Sequence, residues 1–300
     1  KRARNDQEED DYMTSIYNPS GIVMGVIFAH LSVVPATGKI YGYPIFAKRI
    51  HFFHSLASLE GCYTDELLIG YNYYYCAGKH HMAELPRWLE RIGQQQAILI
   101  PGGYPKLVTQ IESSKKFRRG KFDPQHPITI VYAPTMTSHG NENGCSLRIY
   151  GMRIVQTVLL ENQLRFRPHP VSFKGKDAQF VQKIIAHNTA NLNFSLDKSE
   201  NYSKSYSTSD VMITDLSGTG FTFAFGFERP VIFIDRGLQG TGIQFSSRER
   251  IGRVCKDVSQ LNSVIRDVIE NHDNIVESIK VFRKELICNL GHSERYFVDH

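Results

Sequence analysis

The residues best placed to do chemistry lie in SDVMITDLSGTGFTFAFGFERPVIFID (209–235), where an apolar run ends in Asp215 and passes through Ser217, Gly218, Thr219 and Gly220. Between a strand and a helix, this composition brings free backbone N–H groups and two hydroxyls to the positive end of a helix. That arrangement binds an anion of diphosphate size. The alternative is purely structural: Ser217 caps the helix and the glycines make a tight turn. The stretch has neither the lysine of a P-loop nor the G-x-G-x-x-G spacing, so it does not imply ATP or NAD.

A second group is FRPHP (166–170), in which Pro168 and Pro170 each disfavour the helical region for the preceding residue and hold Arg167 and His169 extended. The Arg167 guanidinium is a fork suited to phosphate, and His169 can exchange or donate a proton. The same prolines could instead simply stop a sheet. In IHFFHSLASLEG (50–61) an aromatic strand delivers His54, whose neutral imidazole could take a proton from a substrate hydroxyl. VYAPT (131–135) ends in Thr135, whose hydroxyl and amide could reach the same ligand. His80 and His81 stand on a predicted helix with no third ligand at metal spacing, and are expected at the surface or partly buried.

These segments need a scaffold that puts strand ends together. Apolar runs at 21–29, 49–53, 71–78 and 96–103 read as strands, with helices over 79–93 and 104–116. Apolar periodicity then stops in SSKKFRRGKFDPQHP (113–127), and the boundary is placed there, giving domains 1–122 and 123–300. Its basic run is either a solvated linker or a contact for anionic lipid headgroups. Beyond it come strands at 128–134, 164–170, 192–195, 211–215 and 230–235, with helices near 144–161 and 176–189. Such alternation predicts an α/β protein of two Rossmann-like domains, their parallel sheets facing across a cleft. Ligands of open parallel sheets gather at the carboxyl ends of the strands, where the residues above stand.

Bulk properties narrow the class. The 300 residues, 41% of them hydrophobic, suffice for two cores, and no apolar run approaches the roughly 18 residues of a membrane span. The opening KRARNDQEEDDY carries no signal sequence, so a cytoplasmic location is expected. The chain does not begin with methionine, and a piece of a longer protein is expected. Five dispersed cysteines without a C-x-x-C pair argue against a disulfide framework and a zinc site. A net charge of +5 suits phosphate ligands but is too small to indicate a nucleic-acid partner.

Taken together, VYAPT, RPHP, DVMITDLSGTGF, ERPVIFI and the closing NLGHSERYF resemble, in order and spacing, the CDP-glycerol glycerophosphotransferase family of teichoic-acid and capsule polymerases. The resemblance covers most of the second domain and, more loosely, FHSLASLEG and YYYCAG in the first. It implies a GT-B arrangement and a CDP-activated donor. A polyol phosphate would pass from that donor to a polymeric or lipid-linked glycan acceptor at the inner membrane face, with no cofactor or metal required. It further implies His54 as base and His169 as its partner, with Arg167, Thr135, Asp215, Ser217, Gly218 and Thr219 around the nucleotide and its phosphates. Three positions depart from the family pattern: Gly218 replaces a second Ser or Thr, Thr222 stands where an Asp is usual, and Ser55 follows His54 where Gly is common. Two further readings stay open. One is a CMP-sugar glycosyltransferase of capsule or lipopolysaccharide synthesis with Glu60 as base, and the other a nucleotide-binding subunit without activity.

Overall fold

The computed structural model describes residues 31–35 (backbone path), 48–53, 55–60, 63–116, 122–123, 125, 127–137 and 143–299. The strand expected at 21–29 and the catalytic candidate His54 lie outside them.

Two parallel sheets make up the scaffold. The first has the order β1-β2-β3-β4, from Leu31–Pro35, Lys48–Phe52, Tyr73–Tyr75 and Ile98–Ile100. The second has the order β10-β9-β8-β5-β6-β7, from Thr129–Tyr132 (β5), Gln163–Phe166 (β6), Phe194–Leu196 (β7), Val211–Thr214 (β8), Val231–Ile234 (β9) and Gly252–Cys255 (β10). The longer helices are α1 (Lys79–Arg91), α2 (Pro105–Lys116), α3 (Leu147–Val158), α4 (Ala178–Asn188), α5 (Thr219–Phe227), α6 (Leu261–Glu270), α7 (His272–Leu286) and α8 (Ser293–Asp299). In sequence, β4 ends at Ile100 and β5 begins at Thr129. Everything from β10 onward lies beyond the strands and helices read from the sequence.

Central strands of the second sheet are apolar throughout because helices cover both faces: every residue of β5, β8 and β9 is buried. The same logic explains α5, TGFTFAFGF, which is apolar on all sides and buries seven of its nine residues. One side meets its own sheet and another meets α2 of the first lobe. Its C-terminus turns at Glu228, a left-handed residue with φ 54° whose carboxylate accepts from Arg283 at 2.7 Å; Arg283 also donates to the carbonyl of Phe225.

From β5 the chain steps outward to β6 and β7, then returns to the other side for β8, β9 and β10. The reversal lies between β5 and β8, which pair directly, and opens a crevice at their carboxyl ends. After α7 the tail crosses back to the first lobe. Cys288 N–H donates to Ala77 O (3.1 Å), Asn289 donates to Pro101 O (2.6 Å), and Phe297 packs on Phe52 and Tyr75 with centroids 5.1 and 5.6 Å away.

Candidate active site

The crevice is braced by Asp215. This residue is 1% exposed; Oδ1 accepts from the amide of Thr135 (2.9 Å) and from its hydroxyl, and Oδ2 accepts from the amide and hydroxyl of Ser146 at 2.8 and 2.7 Å. Burial raises its pKa, and the four donors counter that rise. One carboxylate thus ties the end of β8 to the loop after β5 and to the start of α3. With both oxygens engaged by Thr135 and Ser146, Asp215 holds the turn in shape. Ser146, which sequence reasoning did not select, completes the brace and also bonds Tyr132 OH at 2.8 Å.

After the brace, the turn presents its amides. Ser217 Oγ accepts from Thr219 N–H (3.3 Å), Gly220 N–H reaches Ser217 O (3.2 Å), and Gly218 is the N-cap of α5. The amides of Ser217 and Gly218 have no acceptor among the described residues. They stand at the N-terminus of a nine-residue helix, where partial positive charge collects. Thr219 Oγ1 pairs with Tyr206 OH at 2.8 Å.

The first lobe seats on this turn. A Cβ at Gly218 would lie 2.5 Å from Ser55 Oγ and 3.2 Å from Ala57 Cβ, so a side chain there would force the Ser55 hydroxyl aside and press on Ala57. Two of the three departures from the family pattern are therefore neighbours across the cleft. Residues 55–60 are fixed from several sides. His81 accepts from Ala77 N–H through Nδ1 (3.3 Å), which leaves Nε2–H to donate to Ala57 O at 3.0 Å. Burial pulls its pKa down to about 4. Ser58 Oγ donates to Glu84 (2.5 Å) and accepts from Ile243 N–H (2.8 Å), while Leu59 N–H donates to the other Glu84 oxygen (2.8 Å). Gln244 accepts from Ser58 N–H at 3.1 Å and donates to Glu60 O at 2.7 Å. His80 and His81, expected at the surface or partly buried, are both buried because they pack beneath this segment.

Glu60 belongs to the same clamp. Its Oε2 accepts from Thr241 N–H (2.8 Å), Thr241 Oγ (2.9 Å) and Gly242 N–H (3.3 Å), and the bonds from Thr241 lower its pKa. A carboxylate held this way is a weak base, so the geometry disfavours the reading that gave Glu60 that role.

Arg167 and His169 follow β6, next to the crevice. Arg167 pairs with Asp197 at 2.8 Å, donates to Ser199 (3.2 Å), and lies 5.9 Å from the ring centroids of both Tyr202 and Tyr206. Tyr206 thereby links it to Thr219 at the head of α5. His169 caps the short turn Pro170–Phe173 with its side chain, Nδ1 accepting from Val171 N–H at 3.3 Å. Its proton is therefore on Nε2. Burial, aided by the charge of Arg167, lowers its pKa to about 4, so at neutral pH it is an uncharged ring with one N–H to donate. Asp177 joins this corner to the rest, accepting from Arg148 (2.6 Å), Thr137 N–H (2.8 Å) and Ser172 Oγ (3.3 Å).

A family model described as CDP-glycerol:poly(glycerophosphate) glycerophosphotransferase matches residues 71–292. Among solved structures, the wall teichoic acid polymerase TagF superposes with TM-score 0.53 at 15% identity, covering 85% of this chain and 67% of that one. A histidine-to-asparagine variant of TagF soaked with CDPG gives TM-score 0.53 at 17% identity over 86% and 68%. A putative UDP-N-acetylglucosamine 2-epimerase from Listeria monocytogenes gives 0.51 at 12% over 82% and 65%. At these identities the likeness is one of fold, that of two-lobed GT-B proteins. No curated protein sequence matches the chain. The family match spans well over half the chain and contains the brace, the turn, Arg167 and His169, and on it this chain belongs to the CDP-glycerol:poly(glycerophosphate) glycerophosphotransferase family.

Proposed function

We propose that this transferase moves a polyol phosphate, glycerol phosphate in the first instance, from a CDP-activated donor to a hydroxyl of a cell-surface polymer or of its lipid-linked precursor. The observation that carries the reading is the turn 217–219, with its two unengaged amides at the head of α5, inside the span of the family match. The donor diphosphate lies on that turn. The acceptor oxygen attacks the phosphorus bearing the polyol, the bond from that phosphorus to the bridging oxygen breaks, and CMP leaves.

His54, next in the chain to the Ser55 that abuts Gly218, takes the proton of the acceptor hydroxyl. His169 donates its Nε2–H to the diphosphate, acting as a neutral hydrogen-bond donor and not as a cation. Arg167, already balanced by Asp197, adds a shielded positive charge behind it. Among the described residues no helix is long and apolar enough to cross a membrane. The basic stretch 113–121 would then hold the enzyme to the anionic cytoplasmic leaflet.

The test is CMP release from CDP-glycerol with a glycerol-phosphate acceptor. His169→Ala is expected to lower kcat by roughly two to four orders of magnitude, with a smaller weakening of donor binding from the lost hydrogen bond to the diphosphate. A loss under about tenfold at saturating donor removes His169 from the mechanism. Thermal shifts by CDP-glycerol and CDP-ribitol but not by UDP-sugars are expected, and the reverse pattern would refute cytidine specificity.

A further inference from the structure

A cavity of about 390 Å³ opens between α2 and residues 200–203, lined by Lys106, Thr109, Gln110, Glu200, Tyr202 and Ser203. The mechanism above makes no use of it. We propose that it is a second subsite, which binds a phosphodiester of the acceptor chain one repeat behind the hydroxyl that receives the new phosphate, with Lys106 as its countercharge. The proposal rests on the transferase reading and adds the chemistry by which the acceptor is recognised.

Place is the first argument. Residue 106 follows β4 and residues 200–203 follow β7, so the cavity lies at the carboxyl ends of both sheets, the side on which the turn 217–219 stands. It is nonetheless distinct from the donor crevice, which opens between β5 and β8. Tyr202 forms the partition: Lys106 Nζ is 5.4 Å from its ring centroid, and Arg167 is 5.9 Å from the same centroid. Tyr202 packs on Tyr206, whose hydroxyl holds Thr219. One pair of rings thus separates the cavity from the diphosphate turn.

Chemistry is the second argument. Among the described residues no carboxylate forms an ion pair with Lys106, and partial burial lowers its pKa, a bias that a bound anion would reverse. Gln110, 3% exposed, donates to Tyr202 OH, while its Oε1 has no partner among the described residues. That oxygen faces Gly226 of α5 and is closed to solvent, so what Gln110 brings to the cavity is its hold on the Tyr202 hydroxyl. Thr109, Ser203 and Glu200 supply further hydroxyl-pairing groups, and the Tyr202 ring gives the apolar face of a polyol a surface to lie on. A single cation beside hydroxyl-binding groups and an aromatic wall matches one polyol-phosphate repeat. At about 390 Å³ the cavity has room for such a repeat, near the lower end for small-ligand sites.

The experiment compares synthetic glycerol-phosphate oligomers carrying one and three phosphates, with initial rates of CMP release from CDP-glycerol by wild type, Lys106→Gln and Lys106→Arg. Lys106→Gln is expected to raise KM for the three-phosphate oligomer about tenfold and to change KM for the one-phosphate acceptor less than about twofold, leaving kcat and the donor KM in place. Lys106→Arg should restore most of the loss. Equal effects on both oligomers overturn the subsite, and a raised donor KM assigns the cavity to the nucleotide instead. Calorimetric titration of the three-phosphate oligomer without donor separates the two claims. Binding lost in Lys106→Gln supports the subsite even if no acceptor is turned over, an outcome that would sink the transferase reading alone, whereas equal binding by both proteins overturns the subsite. A lipid-linked diphosphate acceptor that shows the same Lys106→Gln penalty would identify the bound phosphate as the lipid end of the acceptor.

Discussion

Ser55 and Gly218 illustrate how a pair of residues in different lobes behaves as one feature. The hydroxyl of Ser55 occupies the space a side chain at 218 would need, 2.5 Å from the would-be Cβ, and it also accepts from Ala57 N–H at 3.1 Å. Gly218 has φ −60° and ψ −14°, a conformation open to any residue, so its requirement is one of space and not of backbone freedom. Gly218→Ser alone is expected to cost about 1–3 kcal/mol of stability, as overpacking does, and to weaken CDP-glycerol binding. Ser55→Gly opens that space, and the double variant should recover at least half of the loss, a coupling on the order of 1 kcal/mol. Urea midpoints and donor Kd for the four proteins check this. Strictly additive effects would show that the contact is not made.

At the scale of elements, the crevice depends on one buried carboxylate joining three chain segments. Asp215 receives two donors from residue 135 and two from residue 146, whose backbones lead into the loop after β5 and the first turn of α3. Asp215→Asn removes one oxygen and adds two N–H groups facing donors. The expected cost is about 3 kcal/mol, as for one lost partner in a buried charged network, together with weaker donor binding as the turn loosens. Denaturant unfolding measures the first and calorimetry the second. A loss below about 1 kcal/mol would mean that water replaces the carboxylate without penalty. The α5 sequence announces a buried helix through its Phe and Ala content, but its contact with α2 arises only when the lobes dock.

For the whole molecule, buried neutral histidines give a pH signature. His81 and His169 each have a native pKa lowered to about 4 from an ordinary 6.5. The unfolded chain therefore binds protons at these sites between pH 6.5 and about 4 that the native protein does not. Their contribution to stability is complete above pH 6.5 and is lost as pH falls toward 4. Glu84 and Asp215, with raised pKa values, act in the opposite sense as they take up protons in the native state. A difference measurement isolates one group: His81→Gln keeps a donor for Ala57 O but cannot titrate. Its urea midpoint should fall less than that of the wild type between pH 7 and pH 4.5, by up to about 2–3 kcal/mol in stability. Parallel pH profiles would show that His81 is not held neutral.

The local chemistry is legible along the chain: the turn 215–219 between strand and helix, the proline-held His169, and the strand ends that carry both. These are written in neighbouring residues, where period, small side chains and proline restrict the backbone directly. Folding of the whole chain settles which of those residues are engaged by the protein's own groups. Asp215 is taken by partners 80 and 69 residues away, and Glu60 by Thr241, 181 residues away. Ser55 meets Gly218 across the cleft, and His80 and His81 are buried beneath the segment that carries it. Each of those outcomes depends on how two separately built sheets dock. Docking is set by the summed shape of many distant side chains, a property that no local window of sequence contains.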